Sequence, residues 1–450
     1  MSEHKRENFS SKLGIIVATA GSALGLGNIY RFPCEAGANG GGAFLIVYLC
    51  LALLIGTPLM ISEFVIGRRS RSNPVGAFRR LAGKKNAWPV VGYMGVLCAF
   101  LILAFYTTVA GWTLGYLAKS VLNHFAGQDL PQIQQQFVDF TNHQWWPIVC
   151  QLVFLALTAL VVARGVKDGI EKWSKVLMPL LLVIMFVLCV KSLTLSGAGE
   201  GLRFFFNPDF SKINGRVLIS ALGQSFFSLS IGMGALITYG SYIGKNDNMA
   251  SSALGVVLAD TLVAVLAGIV IFPAAFTFGI QPEAGASLAF TTLPMVFQQM
   301  SGGYVFCLMF FLLLVIATLT STISLLEVIV AAFTEELQLS RPKSAWIGAA
   351  ATAVIGVLAT LSFRTGSPLH IGSSTVFDLL DHVTALYIMP IGGLLIVIFV
   401  GWRMKKADVM DELTNNGKLR AGIRNAIRLI IRYLAPVAIA VIFISQLIGK

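Results

Sequence analysis

Long apolar stretches alternate with short polar ones along almost the whole 450-residue chain. An apolar run of about 20 residues can cross roughly 30 Å of hydrocarbon as a helix. We therefore predict eleven membrane-spanning helices, at residues 13–37, 42–67, 88–123, 145–163, 170–195, 217–243, 250–279, 302–337, 344–362, 374–402 and 424–448. The loops between them are too short for a second domain, so the pattern predicts a single all-α membrane domain over residues 1–450.

The first predicted span has a composition that does not suit a lipid-facing helix. Between residues 20 and 33 it holds three glycines, an asparagine and an arginine, and it ends with Pro33. Glycine weakens a helix and proline ends it, and a guanidinium at membrane depth is costly. Irregular backbone survives at that depth only where protein encloses it or where it lines a cavity. The first span therefore looks like one half of a binding site.

A second interruption lies in the sixth span, between Gly223 and Gly234. Paired breaks in corresponding spans of two halves indicate a transporter binding site. Because five is an odd number of spans, the second half would cross the membrane in the opposite orientation to the first. We therefore expect residues 13–195 and 217–402 to be inverted five-helix repeats, with 424–448 as an additional helix. The alternative, that the glycines only permit close helix packing, is disfavoured by the presence of two such breaks.

Composition and charge agree with a membrane protein. Hydrophobic residues make up 56% of the chain and charged residues 12%, whereas about a quarter of a soluble domain is charged. The net charge of +12 is concentrated in alternate loops, and loops 124–144 and 280–301 contain no Lys or Arg. This positive-inside pattern predicts a cytoplasmic N-terminus and an external C-terminus. The basic residues thus indicate topology and contact with the lipid bilayer, and no nucleic-acid partner.

Several other classes of protein are disfavoured by the sequence. It contains no Walker-type phosphate loop, no H-E-x-x-H and no G-x-S-x-G motif, so neither ATP-driven transport nor a membrane enzyme is indicated. Six scattered cysteines lack metal-ligand spacing and are interpreted as packing residues. A receptor would carry a signalling domain and a channel would repeat its pore loops, and we find neither.

Five motifs resemble the neurotransmitter:sodium symporter family, and in particular its bacterial eleven-span transporters of leucine, tyrosine and other hydrophobic amino acids. These motifs are Gly21–Pro33, Asn39–Phe44, Gly111–Gly115, Gln224–Ser230 and Thr320–Ser324. The resemblance implies a 5+5 inverted-repeat bundle with discontinuous helices 1 and 6. It also implies sodium-coupled import of an amino acid by alternating access, and it leaves the oligomeric state open.

The resemblance implies two sodium ions, bound by oxygen atoms as hard cations require. The first site would include the substrate carboxylate, the carbonyl of Ala23, and side chains of Asn28, Ser228 and Asp260. The second would consist of three carbonyls and two hydroxyls, from Gly21, Leu24, Ala317, Thr320 and Ser321. The alternative for the two hydroxyls is hydrogen bonding to the preceding helical turn, which is common in membrane helices.

Asp260 is an acid within an otherwise apolar span, so it should face an interior partner. Bound Na⁺ is the partner that the resemblance implies, and a fixed carboxylate there could replace the chloride used by animal members. We therefore expect no chloride requirement. A proton-driven symporter with Asp260 as the carrier is the alternative. Glu63 and Glu327, two further acids that look buried in apolar spans, are expected to hydrogen-bond within the bundle.

The resemblance also implies a substrate pocket. Amine transporters of the family carry Asp at the position of Gly25, which favours an α-amino acid here, and Tyr106 would donate to its carboxylate. The expected lining residues are Ala23, Gly25, Gly27, Ile102, Tyr106, Phe227, Ser228, Ser230, Met233, Ser321 and Leu325. This largely apolar set suits a hydrophobic or aromatic side chain. Met233 would adapt to large side chains, or would simply fill space in the core.

Two gates are implied by the same resemblance. Arg31 would pair with Asp381 across the outer vestibule. At the inner face, Arg6 would pair with Glu335, and Tyr242 and Phe9 would cover that pair.

Overall fold

The structure is a computed structural model that describes residues 8–83, 86–279, 288–372, 374–415, 417–418 and 422–448. Almost every described residue is helical. The helices are α1 Lys12–Ala23, α2 Gly27–Ala38, α3 Gly42–Ser70, α4 Pro74–Ala82, α5 Pro89–Val121, α6 Leu130–Asn142, α7 Trp146–Ala163, α8 Val166–Leu193, α9 Ala198–Phe206, α10 Gly215–Ser228, α11 Ala235–Gly240, α12 Met249–Thr277, α13 Leu293–Gln298, α14 Gly303–Glu336, α15 Arg341–Leu361, α16 Val376–Arg403, α17 Lys406–Thr414 and α18 Arg424–Ser445.

Shorter elements complete the description. A 3₁₀ turn covers Phe210–Lys212, and a π-helical turn at Leu288–Thr292 leads into α13. Further π-helical turns lie within the longer helices. Strand β1, His370–Ile371, pairs antiparallel with strand β2, Ser374–Thr375, ahead of α16.

Among the described residues, nine helices are long and apolar enough to cross a membrane: α3, α5, α7, α8, α12, α14, α15, α16 and α18. Helices α1 and α2 form a tenth candidate, bent by 55° at its break. These ten correspond to ten of the eleven predicted spans. The sixth predicted span consists of two short helices, α10 and α11, which confirms the predicted interruption of this span.

The sixth span is interrupted by backbone conformations that no right-handed helix can contain. Helix α10 has 14 residues and α11 has 6. Between them, Ser230, Gly232 and Gly234 have φ angles of 56°, 80° and 75°. Gly232 is also needed for packing, because a Cβ atom there would lie 2.6 Å from the carbonyl oxygen of Met389 on α16. Glycine is the residue that adopts positive φ without strain.

The first span breaks over a shorter distance. The Ser11 side chain caps α1 by accepting the Gly14 amide at 3.0 Å. At the other end, the amide of Gly25 donates to the carbonyl of Ala23 at 2.9 Å, in a tight turn that ends α1. Helix α2 then begins at Gly27, only four residues after α1 ends. The break therefore exposes a few peptide groups where the span bends by 55°.

Two long helices form the centre of the bundle. Helices α5 and α14 have 33 and 34 residues and pack against each other, and α7 and α15 pack against both. Helix α1 lies between α12 and α14. The outer helices expose large apolar side chains, such as Phe186 on α8 and Val437 on α18, which are 64% and 61% exposed. Apolar surface of this extent suits lipid.

At one end of the bundle, the short helix α17 is attached to α3 by a buried arginine. The Arg68 side chain is 2% exposed, and it donates to Glu412 Oε2 at 2.6 Å and to the Asp247 carbonyl at 2.8 Å. The neighbouring Arg69 pairs with Asp408 at 2.5 Å but is 33% exposed. Breaking a buried ion pair leaves an uncompensated charge, whereas an exposed pair contributes little.

We predict that Arg68→Gln destabilises the protein by about 3–5 kcal/mol, because Glu412 and the Asp247 carbonyl lose their buried partner. The matched control is Arg69→Gln, for which we expect less than about 1 kcal/mol. The measurement is the midpoint of thermal unfolding in detergent micelles for the two variants. Equal shifts for both variants would contradict this assignment.

Candidate functional site

The two helix breaks face each other across the centre of the bundle. Gln224 Nε2 on α10 donates to the carbonyl of Gly27 at 2.7 Å. From the other side, the amide of Leu26 donates to the hydroxyl of Tyr106 on α5 at 3.0 Å. The Gly27 carbonyl also accepts the Phe32 amide within α2. The break in the first span is thus held by side chains from two other helices, as irregular backbone at membrane depth requires.

A cavity of about 310 Å³ lies between the breaks. It is lined by Ser22, Ala23, Gly25, Gly27, Ile102, Tyr106, Phe227, Ser230, Met233, Ser321 and Leu325. This set contains every residue predicted to bind substrate except Ser228, which lies in the polar cluster described below. It adds Ser22, which the sequence interpretation did not include. None of the lining side chains carries a charge.

Gly25 cannot carry a side chain in this arrangement. A Cβ atom at position 25 would lie 2.6 Å from the Tyr106 hydroxyl and would also meet the Ser321 side chain. Glycine in place of an acid at this position therefore has a steric basis as well as an electrostatic one. At the same end of the cavity, the Tyr106 hydroxyl accepts the Leu26 amide and could donate its own proton to an anionic group.

A buried polar cluster adjoins the cavity. The Ser228 hydroxyl lies 3.0 Å from Asn28 Oδ1 and donates to Asp260 Oδ1 at 2.7 Å. Asn28 Nδ2 donates to the same carboxylate oxygen at 2.8 Å, and the Tyr48 hydroxyl donates to Asp260 Oδ2 at 2.7 Å. All four side chains are 1% exposed or less. The structure thus brings together the three side chains predicted for the first sodium site.

The charge of Asp260 has no cationic side chain to balance it. Within the part of the chain that the structure describes, no Lys or Arg pairs with this carboxylate, and its partners are a neutral amide and two hydroxyls. A buried carboxylate is costly unless a cation compensates it. Three converging oxygen atoms with one net negative charge suit a small hard cation. The residues therefore fit Na⁺. Ala23, the fourth predicted ligand, lines the neighbouring cavity.

The second predicted sodium site lies where α1 meets α14. Gly21 packs against Thr320, since a Cβ atom on Gly21 would lie 3.4 Å from Thr320 Cβ. The Thr320 hydroxyl donates to the Ala317 carbonyl at 2.9 Å, which is the alternative role considered for it. That bond uses the hydroxyl proton and leaves oxygen lone pairs free, so it is compatible with a cation ligand. Ser321 lies 3.4 Å from the Ser22 carbonyl, and Leu24 is buried beside the break.

The predicted outer pair is present. Arg31 Nη1 lies 3.4 Å from Asp381 Oδ1, and the Arg31 guanidinium lies 4.5 Å from the centre of the Phe227 ring. Both groups line a second cavity of about 690 Å³, which also contacts Tyr106. Phe227 and Tyr106 belong to both cavities, so they separate the smaller cavity from this vestibule.

At the other end of the bundle, the acids contact several helices. Glu335 Oε2 accepts from the Ser72 hydroxyl at 2.8 Å and from the Asn73 amide at 3.0 Å. Its predicted partner Arg6 lies outside the described residues. The Tyr242 hydroxyl donates to Glu327 Oε1 at 2.5 Å, and the Phe9 ring lies edge-on to Tyr242.

Two further buried acids, Glu327 and Glu63, take structural positions. Glu327 forms a two-point ion pair with Arg341, at 3.1 and 2.5 Å. Glu63 Oε1 accepts the Gly232 amide at 2.7 Å and so holds the backbone of the second break. Both acids hydrogen-bond within the bundle, as the sequence interpretation expected. They differ from Asp260, which lies among neutral donors next to the cavity.

Sequence reasoning missed three residues of the site: Ser22, Tyr48 and Gln224 as a backbone partner. Gln224 lies in a motif that pointed to the site, and Ser22 lies one helical turn before the first break, so a signal for both was present. Tyr48 had no local signal, because it lies among apolar residues of α3 and reaches Asp260, which is 212 positions away in sequence.

The discontinuous helices and the uncharged cavity between their breaks define this protein as a multi-pass membrane transporter. Residues 6–129 and 123–450 match the model of the Sodium:neurotransmitter symporter family, and the chain belongs to that family. The resemblance noted in the sequence is therefore confirmed, as are the all-α transporter fold and the expectation that the protein is not an enzyme.

Named relatives extend over the whole chain. The uncharacterized sodium-dependent transporter YhdH of Bacillus subtilis is 38% identical over 449 residues, which cover 100% of this chain and 99% of the relative. An uncharacterized sodium-dependent transporter of Haemophilus influenzae is 36% identical and covers 98% of each chain. The crystal structure of MhsT in complex with L-phenylalanine superposes with a TM-score of 0.91, at 41% identity, covering 98% of this chain and 99% of MhsT.

We predict that Asp260→Ala raises the sodium concentration for half-maximal thermal stabilisation at least about tenfold, because the cluster loses its only charged ligand. The measurement is the unfolding temperature in detergent as NaCl replaces choline chloride at constant ionic strength. The matched control is Ser252→Ala on the same helix, since Ser252 is buried and its hydroxyl has no hydrogen-bond partner among the described residues. An unchanged sodium midpoint in Asp260→Ala would refute the assignment of this cluster.

Proposed function

We propose that this protein is a sodium-coupled symporter that imports neutral hydrophobic or aromatic L-amino acids. The observation that carries the proposal is the uncharged cavity between the two helix breaks, with the Asp260 cluster beside it. The Tyr106 hydroxyl accepts the Leu26 amide and can donate its own proton to a substrate carboxylate. Ile102, Phe227, Met233 and Leu325 supply an apolar wall for the side chain. MhsT, which is similar to this chain over its whole length, was crystallised with L-phenylalanine.

The entry of two sodium ions would be coupled to the entry of the substrate. The first would bind Asn28, Ser228, Asp260 and the Ala23 carbonyl, next to the substrate carboxylate. The second would join α1 to α14 through Gly21, Leu24, Ala317, Thr320 and Ser321. Because ion and substrate share a cavity wall, each should raise the affinity for the other by the same factor. Each entering cation also gains about 2.3 kcal/mol per 100 mV of membrane potential.

Alternating access would use the two ends of the bundle as gates. We assign the outer gate to Arg31 and Asp381, and the inner gate to Arg6, Glu335 and Tyr242. In this arrangement the N-terminus is cytoplasmic, the C-terminus is external and the membrane is the bacterial inner membrane. The moving parts would be inverted repeats at residues 13–195 and 217–402, with 424–448 outside them. This part of the proposal is supported by the alternation of basic loops and by the two breaks.

Asp260 also supports independence from chloride. Its Oδ2 atom already accepts the Tyr48 hydroxyl, and its Oδ1 atom accepts from Asn28 and Ser228. A fixed negative charge therefore occupies the position where a mobile anion could otherwise balance sodium. The rival mechanism, a proton-driven symporter with Asp260 as the proton carrier, uses the same carboxylate. It must be distinguished from sodium coupling by experiment.

The proposed function predicts uptake of labelled leucine, phenylalanine, tyrosine or tryptophan into proteoliposomes when an inward sodium gradient is imposed. Uptake should increase with an inside-negative potential, because sodium carries charge inward. The measurement compares external sodium with external choline at equal pH, and screens the remaining amino acids in parallel. Uptake without sodium that an inward proton gradient stimulates would overturn sodium coupling in favour of the proton-driven mechanism.

The proposed independence from chloride predicts how uptake responds when chloride is replaced by another anion. Replacing chloride by gluconate should leave wild-type uptake unchanged, because Asp260 supplies the negative charge. Asp260→Asn should show uptake that chloride stimulates several-fold, since the neutral amide leaves sodium uncompensated. Asp139→Asn, which removes an exposed acid far from the cavity, is the control. A large loss of wild-type uptake in gluconate would contradict the assigned role of Asp260.

A further inference from the structure

Helix α18 carries a stripe of positive charge at one end. Arg424, Arg428 and Arg432 are spaced four residues apart, so they lie along the same side of the helix. This end also contacts α17, where Arg424 Nε donates to the Leu413 carbonyl at 2.8 Å. The last arginine lies eight residues after the first, which is about 12 Å along the axis. The stripe therefore extends from the end of the bundle into the span itself.

Two aromatic side chains mark the depth of Arg432 in the membrane. The Trp402 indole N–H on α16 donates to the Arg432 carbonyl at 2.9 Å, so the end of α16 lies level with this arginine. Trp402 and the adjacent Tyr433 are 58% and 50% exposed. Trp and Tyr are enriched where a membrane meets water, at the level of the lipid headgroups. These neighbours therefore place Arg432 at the height where lipid phosphates are found.

The Arg432 guanidinium is held against both rings. Its central carbon lies 4.7 Å from the centre of the Trp402 ring and 5.4 Å from that of the Tyr433 ring. The two rings are 5.7 Å apart and nearly perpendicular, at 81°. Contacts with ring faces orient a guanidinium but do not use its N–H groups as hydrogen-bond donors. An arginine that only reached for water would extend away from the span, whereas this one is fixed at the membrane boundary.

The donors of Arg432 need an acceptor. Its Nε atom is buried and has no hydrogen-bond partner among the residues that the structure describes. The acids Asp408 and Glu412 on the neighbouring α17 pair with arginines of α3. Within the described ranges, no acid forms an ion pair with Arg428 or Arg432. A buried donor without an acceptor is costly, so this position suits an anion from outside the protein.

The surface beyond Arg432 suits the acyl chains of a lipid. Four apolar side chains follow it along α18 at helical spacing, each at least half exposed: Leu434, Val437, Val441 and Ile444. We call these four residues the apolar stripe of α18. A soluble anion would gain nothing from such a stripe, whereas hydrocarbon chains would be removed from water along it. Charge and apolar surface are thus arranged in the order of a lipid molecule, with the headgroup first and the chains after it.

From these contacts we propose that α16 and α18 form a binding site for one anionic phospholipid. The Arg432 guanidinium binds the lipid phosphate, because the planar fork of arginine matches two phosphate oxygens. Arg428 adds a second positive charge, which favours a headgroup with net negative charge over a zwitterionic one. The acyl chains lie along the apolar stripe of α18. This site shares no residue with the cavity between the helix breaks, so the inference does not depend on the proposed substrate.

The test measures lipid binding to the whole chain in detergent by native mass spectrometry. Phosphatidylglycerol is compared with phosphatidylcholine that has the same acyl chains. We expect an at least about tenfold lower apparent dissociation constant for phosphatidylglycerol, because two arginines face its headgroup. Inorganic phosphate in excess should not displace the lipid, since a soluble anion does not contact the apolar stripe.

Two variants locate the site. Arg432→Gln and Arg428→Gln should each reduce the preference for phosphatidylglycerol, and the double variant should bring the two dissociation constants within about twofold of each other. The matched control is Arg164→Gln, which removes one positive charge from an exposed position directly after α7 and should leave the preference unchanged. Both lipids are measured on the same preparation, so their ratio does not depend on how much folded protein each variant yields.

Three results would overturn the inference. Equal binding of the two lipids by the wild-type protein would remove its basis, and a preference that persists in the double variant would place the anionic lipid elsewhere. Displacement of the lipid by inorganic phosphate would indicate a site for a soluble anion instead. None of these measurements involves transport, so failure of the lipid site leaves the symporter assignment standing, and the uptake assays alone decide the latter.

Discussion

The structure depends on one constraint: every peptide group exposed by a helix break at membrane depth must find a partner inside the protein. The two breaks are possible together because other helices supply what each one lacks. Gln224 binds the Gly27 carbonyl, Tyr106 receives the Leu26 amide, and Glu63 receives the Gly232 amide. The cavity is the space enclosed by these contacts. A substitution that made one break helical would therefore also remove hydrogen-bond partners from the helices that contact it.

Buried acids show how the same chemistry serves different purposes in this bundle. Glu327 is neutralised by Arg341, so it ties two helices together. Glu63 caps a backbone amide. Asp260 is surrounded by an amide and two hydroxyls, and these leave its charge uncompensated within the described chain. The acid beside the cavity is thus the one best placed to bind a cation from solution, which is consistent with a family of sodium-dependent transporters.

Positive φ and close packing together determine the shape of the cavity. Gly25 leaves room for the Tyr106 hydroxyl, and Gly232 lets the second break approach α16. Ser230 tolerates a left-handed backbone only because its hydroxyl and amide are both bonded. Rigid contacts of this kind place polar atoms at fixed positions on an apolar wall. A small solute can then be recognised by a few oriented groups, without a charged side chain in the pocket.

The sequence by itself determined the elements and much of the site. Apolar run length predicted ten spans that the structure contains as helices or as a bent pair, and glycine and proline predicted both breaks, because these signals are local. The motifs also identified nearly all residues that line the cavity. Only the tertiary structure decided that Tyr48 reaches Asp260, that Ser22 joins the pocket, and that Glu327 pairs with Arg341. These features arise from packing between segments far apart in sequence, and no local pattern encodes which helix faces meet.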